Sequence, residues 1–362
     1  MSQYTKNLTI FVCLLLISMS TFGADNLGGG RINSWGDPYG HAGVADYPLG
    51  RFLRVSCGSN GGAAQRPDGT LVCWGSSWDR PLVAPSGVFI DFVVAGGGLG
   101  IRADETIVVW GEAINHGGLA NVPSGLFKRV AAGGSHFAAL RKDGVICCWG
   151  YNAYGQCNAP AELFVDVSAA MNVTVGLRMD GTVARWGENY GGWSTSSPEK
   201  NLVRLGPSSW ASGRVTAWDI EGNWYVWDVD GRLCMPCMGY SANEYQPPAT
   251  KRLNQIVLAA RGAIGLSPEG LLVPWGNSPT TSIPGLTDLH FQSLDASDRF
   301  ACGIRFPCPA DLDFSDQVDS EDLGNLLLQI GQCDLCDADF DQNGEVDSSD
   351  LGALLLDFGF CP

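Results

Sequence analysis

The stretch Arg129-Val-Ala-Ala-Gly-Gly-Ser-His-Phe-Ala-Ala-Leu-Arg-Lys-Asp-Gly-Val-Ile-Cys-Cys-Trp-Gly150 holds one copy of the unit from which most of the chain is built. Its small residues, Ala131 and Ala132, suit a crowded inner strand. Asp143-Gly144 is the dipeptide of a tight hairpin turn. The alternating residues up to Trp149 read as a half-buried strand, and a link through Asn152, Gly155 and Pro160 leads onward. The unit is therefore strand, turn, strand, turn, strand.

Working outward, Trp-Gly recurs at Trp35, Trp74, Trp110, Trp149, Trp186 and Trp275, and Trp227 is followed by Asp228. Six residues before each of the last six tryptophans stands an acidic residue: Asp68, Asp104, Asp143, Asp180, Glu221 and Glu269. A period near 40 with strand-only content fits propeller blades better than helical solenoids. The Trp-Gly half begins at Trp35 with no partner before it, and the last copy of the other half, Phe291 to Arg305, has no Trp-Gly after it. The two orphans complete one another, as expected when an N-terminal strand closes a ring and removes its sheet edges. The fold class expected is an all-β seven-bladed propeller followed by a small α-helical EF-hand-like calcium module. Its domains are a signal peptide over 1–23, the propeller over 24–306 with its repeats from 31, and the calcium module over 307–362.

The text His136-x-x-Ala-Leu-x-x-Asp-Gly-x-x-x-x-Trp-Gly150, continued by Tyr151-Asn-Ala-Tyr-Gly-Gln156, resembles the repeat of the RCC1 family, the regulator of chromosome condensation. The short period is similar to the secreted bacterial branch of that superfamily, whose blades have three strands. Arg204 to Trp218 has lost the Ala-Ala-Gly text, and Asp228 to Thr250 carries an insertion containing Cys234 and Cys237. Such an insertion maps to one face of a ring.

An apolar run from Ile10 to Ile17 follows Lys6 and precedes small residues up to Ala24, the pattern of a secretory signal peptide. Export implies a secreted or cell-surface protein with no membrane span in the mature chain. Removal of Cys13 would leave 12 of the 13 cysteines, an even number that favours disulfides. The net charge is −16. Residues 307–362 hold 14 acidic residues and no Lys or Arg, leaving 24 acidic against 22 basic residues elsewhere. A near-neutral body with an acidic tail lacks the basic stripe of a nucleic-acid-binding protein and points to cation binding at the C-terminus.

That tail contains two segments 28 residues apart, beginning at Asp311 and Asp339. Oxygen ligands at loop positions 1, 3, 5, 9 and 12, with a backbone carbonyl at 7, wrap a hard cation. In the second loop these are Asp339, Asp341, Asn343, Asp347 and Asp350, with the Glu345 carbonyl and Gly344 at the turn. In the first they are Asp311, Asp313, Ser315, Asp319 and Asp322, with the Gln317 carbonyl, and Asp316 replaces the glycine. The cofactor expected is Ca2+. Helices are predicted over 323–330 and 351–358, with an apolar stripe packing the two halves together and Leu328 and Leu356 left off it.

Duplicated loops with Asp at position 12, each followed by a helix, resemble type I dockerin modules. The resemblance implies a cohesin-like partner contacting loop positions 10 and 11, here Ser348-Ser349 and Ser320-Glu321. Cys308 and Cys333 flank the first half as Cys336 and Cys361 flank the second, and pairing within halves or between the ends are both open. No catalytic constellation stands out around the four histidines. His136 reads as a packing residue, and Asp68, Asp143 and Asp180 as turn residues. The function expected is a monomeric, secreted scaffold that binds a protein or other ligand through the propeller and docks through its tail. A component of polysaccharide degradation is the alternative. Nucleotide exchange, implied by the RCC1 resemblance, conflicts with the export signal.

Overall fold

The computed structural model describes residues 30–36, 48, 50–58, 61–77, 80–95, 97–111, 121–188, 201–207, 215–227, 252–259, 262–276, 281, 286, 289–297, 300–305, 310–312, 317–332, 338–340 and 345–360. The signal sequence, the insertion with Cys234 and Cys237, and the four cysteines flanking the tail halves lie outside the described residues.

Each repeat folds as an antiparallel sheet. Sheet one comprises Arg54–Cys57, Gly61–Gln65, Leu71–Ser77 and a short fourth strand, Arg80–Pro81. Sheet two runs Phe89–Val94, Gly98–Arg102, Ile107–Trp110, and sheet three Phe127–Ala132, His136–Arg141, Ile146–Gly150. Sheet four is Asp166–Ala170, Val173–Leu177, Val183–Gly187, and sheet five Leu202–Leu205, Val215–Asp219, Trp224–Trp227. The degenerate text after Arg204 thus still forms strands. Sheet six is Gln255–Ala259, Gly262–Leu266, Leu272–Gly276. Sheet seven draws on both ends of the repeat region: Phe291–Ala296 and Phe300–Arg305 are joined by Ile32–Gly36, with Trp35 opposite Ala301.

The Trp-Gly dipeptide has a backbone cause. Gly36, Gly75, Gly111, Gly150, Gly187 and Gly276 all have φ between 72° and 112°, a left-handed region open to glycine and costly for other residues. The tryptophan before it packs across the sheet, and a Cβ on Gly98 would lie 1.9 Å from the Trp110 ring. Hairpin aspartates cap their own turns: Asp68 Oδ1 accepts from the Thr70 N–H at 2.8 Å, and Asp104 and Asp180 do the same with Thr106 and Thr182. These bonds, led by the threonine hydroxyls, hold the three carboxyls below their usual range. Gly69, Gly144, Gly181, Gly222 and Gly270 follow in left-handed backbone, whereas Glu105 takes φ 68° with a side chain.

Seven buried hydrophobic clusters join the sheets in sequence. Leu71, Phe89 and Trp110 join sheets one and two; Leu99, Phe127 and Phe137 join two and three. The series continues through Leu140 with Phe164, Leu177 with Leu202, Trp218 with Ile256, and Ile264 with Phe291. The last cluster joins Phe52 and Cys57 of sheet one to Cys302 and Ile304 of sheet seven, completing the ring.

A polar belt follows the same circuit and was not anticipated from the sequence. Two residues after the aromatic or leucine that opens each inner strand stand Arg54, Asp91, Arg129, Asp166, Arg204 and Gln255. Arg54 Nη2 meets Asp91 Oδ1 at 2.9 Å, and Asp91 Oδ2 accepts the Val130 N–H at 3.0 Å. Arg129 Nε lies 3.3 Å from Asp166, whose other oxygen accepts the Leu205 N–H at 2.8 Å. Arg204, stacked over Trp218, donates to the Asn254 carbonyl at 2.6 Å. Gln255 clasps both backbone groups of Leu294, and Asp295 Oδ2 accepts the Cys57 N–H at 2.8 Å. Each side chain grips the next inner strand, so every junction is fixed in register as well as sealed.

The tail begins in described form at Ala310. Helices α1, Ser320–Leu328, and α2, Ser348–Leu356, start three residues earlier than the sequence predicts. Asp319 and Asp347 cap them: each accepts the backbone N–H two residues on, while Asp322 and Asp350 accept the cap residue's own N–H. Among the described residues no helix is long and apolar enough to cross a membrane.

Three outcomes test this account of the ring. Asp91→Ala leaves the Val130 N–H and Arg54 without their carboxylate, and chemical denaturation is expected to show a loss of about 2–3 kcal/mol. Glu105→Gly relieves left-handed strain at the cost of an exposed ion pair with Lys142, and should gain about 0.5–1 kcal/mol. His136 is buried in sheet three, and burial lowers its pKa from 6.5 to about 4. A depressed imidazole is fully compatible with folding above pH 6.5 and opposes it as pH falls towards 4. Asp295, raised by burial to about 6, acts in the reverse sense, its contribution fading as pH rises from 3.8 through 6. The two overlap, so the histidine effect should emerge as a difference. Relative to His136→Gln, the natural chain is expected to lose about 3 kcal/mol between pH 6.5 and 4 by urea unfolding.

Candidate functional site

The two halves of the tail superimpose in their interactions at an offset of 28 residues. Ala310, Leu312, Val318 and Leu326 of the first half and Ala338, Val346 and Leu354 of the second share one buried cluster, with Leu323, Phe340 and Leu351 at its margin. Gln317–Val318 pairs with Gly359–Phe360, and Glu345–Val346 pairs with Gly331–Gln332. Each loop is thus zipped to the segment that follows the other half's helix.

In each half a fully buried carboxylate draws the two ends of the loop together. Asp322 Oδ1 accepts the Leu312 N–H at 2.6 Å and Oδ2 the Asp319 N–H at 2.8 Å. Asp350 repeats this with Phe340 at 2.7 Å and Asp347 at 2.9 Å. Of the expected calcium ligands, Asp322 is thereby bonded to Asp319 and Asp350 to Asp347, with Asp311 and Asp339 one residue before the bonded Leu312 and Phe340, while Gln317 and Glu345 lie on the paired loop strands. Positions 3 and 5, Asp313, Ser315, Asp341 and Asn343, lie outside the described residues, as do Asp316 and Gly344. Among the described residues no three His, Cys, Asp or Glu side chains converge as a metal cluster. Asp311 is buried and lies 3.7 Å from Arg31, which precedes the ring-closing strand.

The expected apolar stripe divides. Leu326 and Leu354 are buried, but Leu327, Ile330, Leu355 and Phe358 are half or more exposed, and Leu328 and Leu356 reach 86% and 87%. Each helix turns one narrow face to the core, through Asp322 and Leu326 or Asp350 and Leu354, and the leucines beside that face are left outside it. Ser320, Ser348 and Ser349 are solvent-facing at the opposite ends of the helices, and Glu321 is exposed beside Ser320.

On the ring, sheets three and four present a second feature. Tyr151 and Tyr154 are exposed and meet edge to face at 6.1 Å, and Met171 is exposed in left-handed backbone at φ 39°. The Met171 carbonyl accepts the Gly134 N–H at 2.7 Å. Beneath it His136 Nε2 meets Thr174 Oγ1 at 2.8 Å, and that hydroxyl donates to the Gln156 carbonyl at 2.9 Å. His136 is thus a buried support for this rim. The tyrosines stand in the quoted repeat text, but only the fold links their loop to Met171, since the Tyr151 N–H donates to the Ser135 carbonyl at 2.9 Å beside the Gly134 that bonds Met171.

Among the described residues Cys57, Cys73, Cys147, Cys148, Cys157 and Cys302 form no disulfide, and Cys234, Cys237, Cys308, Cys333, Cys336 and Cys361 lie outside the described residues. Five of the six described cysteines sit on strands.

A profile of the regulator of chromosome condensation (RCC1) repeat matches residues 127–156, the third sheet and the loop carrying both tyrosines. No curated protein sequence matches the chain. Among solved structures, the chain is similar to Prp20p from Saccharomyces cerevisiae at 11% identity, covering 83% of this chain and 94% of that one, with a TM-score of 0.59. Human WBSCR16 matches at 14% identity over 76% and 99%, with a TM-score of 0.57. The ectodomain of the Physcomitrella patens receptor kinase CR4 matches at 20% identity over 76% and 71%, with a TM-score of 0.53. Together with the seven joined sheets, these likenesses establish an all-β propeller fold that carries an RCC1 repeat.

Proposed function

We propose that this protein is a secreted, calcium-dependent binding scaffold whose propeller rim holds a protein ligand and whose tail docks the complex to a second protein. The observation that carries the reading is the matched exposure of Leu327, Leu328 and Ile330 with Leu355, Leu356 and Phe358 on an otherwise acidic module. Apolar side chains exposed at equivalent places in both halves indicate a surface that a partner covers. A cohesin-like domain fits it, with Ser320, Glu321, Ser348 and Ser349 offering polar contacts at the helix starts.

Calcium supplies the charge balance that the tail lacks. Fourteen carboxylates without a Lys or Arg repel one another, and a divalent cation held by Asp339, Asp341, Asn343, Asp347 and Asp350 relieves that repulsion. The buried Asp350 already ties the loop ends together, so ion binding completes a partly formed site. In the first loop a cation must share Asp311 with Arg31, and Asp316 stands at the turn where the second loop has Gly344, which weakens the first site.

For the ring, Prp20p offers the relevant parallel. It is described by its binding to Gsp1p and histones, and yeast RCC1 (Prp20) has been crystallised with Kap60. Protein binding is accordingly the role we assign to this propeller, with the Tyr151, Tyr154 and Met171 rim as the contact surface.

Calorimetry on the full chain is expected to show two calcium sites of unequal affinity, the tighter one weakened at least tenfold by Asp339→Ala. Pull-down from secreted and envelope fractions should then recover a partner in calcium but not in chelator, and Leu328→Asp/Leu356→Asp should abolish it. Absence of calcium heat at millimolar concentration would remove the tail reading altogether.

A further inference from the structure

The junction that completes the ring, between sheets seven and one, contains two thiols. Cys57 ends the inner strand of sheet one and is 2% exposed; Cys302 lies in the central strand of sheet seven and is 0% exposed. Both belong to the cluster formed with Phe52, Trp74 and Ile304. Their proximity follows from the backbone. The Cys57 N–H donates to Asp295 Oδ2 at 2.8 Å, and Asp295 stands directly opposite Cys302 in the antiparallel register. Both side chains therefore face one buried cluster, where the Cys302 sulfur adds to burial in raising the Cys57 pKa.

The pair is particular to this junction. The inner-strand position of Cys57 is held by Val94 in sheet two and Ala132 in sheet three. The central-strand position of Cys302 is held by Leu99, Ala138 and Val175 in sheets two, three and four. All are apolar, so packing at these positions does not call for sulfur. Two cysteines facing one another where the two ends of the repeat region meet have a purpose beyond filling space.

We propose that Cys57 and Cys302 are a modification site, oxidised to a disulfide that closes the ring covalently when the chain folds with a disulfide donor present. One thiolate attacks a sulfur of the donor, oxidised glutathione for example, and expels one glutathione thiolate. The second cysteine thiolate attacks the protein sulfur of that mixed disulfide, the Cys57–Cys302 bond forms, and the second glutathione leaves. The two cysteines together give up two electrons and two protons, and the donor disulfide is reduced to two thiols. Burial and the neighbouring sulfur raise the Cys57 pKa in the finished ring, so exchange belongs to the folding chain, before sheet seven docks. Once formed, the bond is shielded from reductants by the cluster around it. It spans 245 residues of chain, a loop long enough for cross-linking to restrict the unfolded state strongly.

The test is to refold the full chain in a glutathione redox buffer and in excess reductant, then digest each without reduction and map the peptides by mass spectrometry. A Cys57 peptide joined to a Cys302 peptide in the oxidised sample alone is the expected result, with a melting temperature roughly 10 °C above that of the reduced chain. In Cys57→Ser/Cys302→Ala this increment should vanish, which separates it from any bond elsewhere in the chain. Recovery of Cys57 and Cys302 as alkylatable thiols after oxidative refolding, or joined to other cysteines, would overturn the proposal. So would a redox-dependent melting shift that persists undiminished in the double variant. Peptide mapping uses the natural chain and does not depend on how well the variant folds.

Discussion

The antiparallel pairing of Ile32–Gly36 with Phe300–Arg305 is the constraint on which the rest of the ring depends. Six of the sheets are made from consecutive sequence, so each forms from local hairpins with low loop-closure cost. Sheet seven cannot, because its outer strand lies more than 250 residues from the other two. Without that strand, Phe300–Arg305 would present an unpaired edge, and the Trp35 ring, 5.8 Å from Phe291, would leave the cluster joining sheets six and seven. Closure therefore couples the order of one sheet to the fitting of all seven.

Hydrophobic contact alone does not decide how far one sheet slides along its neighbour, since apolar burial is non-directional. The polar belt does. Its aspartates and Gln255 each accept a particular backbone N–H of the following inner strand, and a slip of one residue would leave that donor buried without a partner. The alternation Arg54, Asp91, Arg129, Asp166, Arg204 places opposite charges at successive junctions, so both Asp91 and Asp166 face an arginine as well as a backbone donor. Where the alternation ends, Gln255 supplies donor and acceptor from one neutral side chain, and Asp295, one position further along, takes over the final junction. Arg54 lowers the pKa of Asp295 less than any of its hydrogen bonds does, and burial dominates its titration.

Strand periodicity, the Trp-Gly and Asp-Gly texts and the two orphan half-repeats made the propeller legible, because each reports a local backbone demand: a left-handed glycine, a capped turn, an unpaired edge. The belt was equally present in the sequence, but its members differ in type from copy to copy. Repeat reading looks for sameness, and complementarity between Arg54 and Asp91 is a relation between copies. The tail's duplication was legible for the same reason as the turns, since both copies carry the same local text. The helices start three residues before the sequence-based bounds because Asp319 and Asp347, at expected ligand positions, also serve as caps. The fate of the apolar stripe was hidden because exposure depends on where a short helix leaves its partner, and Leu327 and Leu355 have the same sequence surroundings as the buried Leu326 and Leu354.

The tail's cross-paired design bears on how a cation would act in it. Each loop strand is bonded to the segment after the opposite helix, so neither half can complete its sheet pairing without the other. Asp322 and Asp350 meanwhile hold the loop ends by bonds to backbone donors. These two devices leave little of the scaffold for a cation to organise; what remains is the mutual repulsion of carboxylates that no Lys or Arg of the tail offsets. Arg31 partly meets that need from outside, through Asp311, and in doing so ties the first loop to the strand that closes the ring. A cation of the kind proposed for the first loop would therefore compete with the seating of the tail on the propeller for one carboxylate.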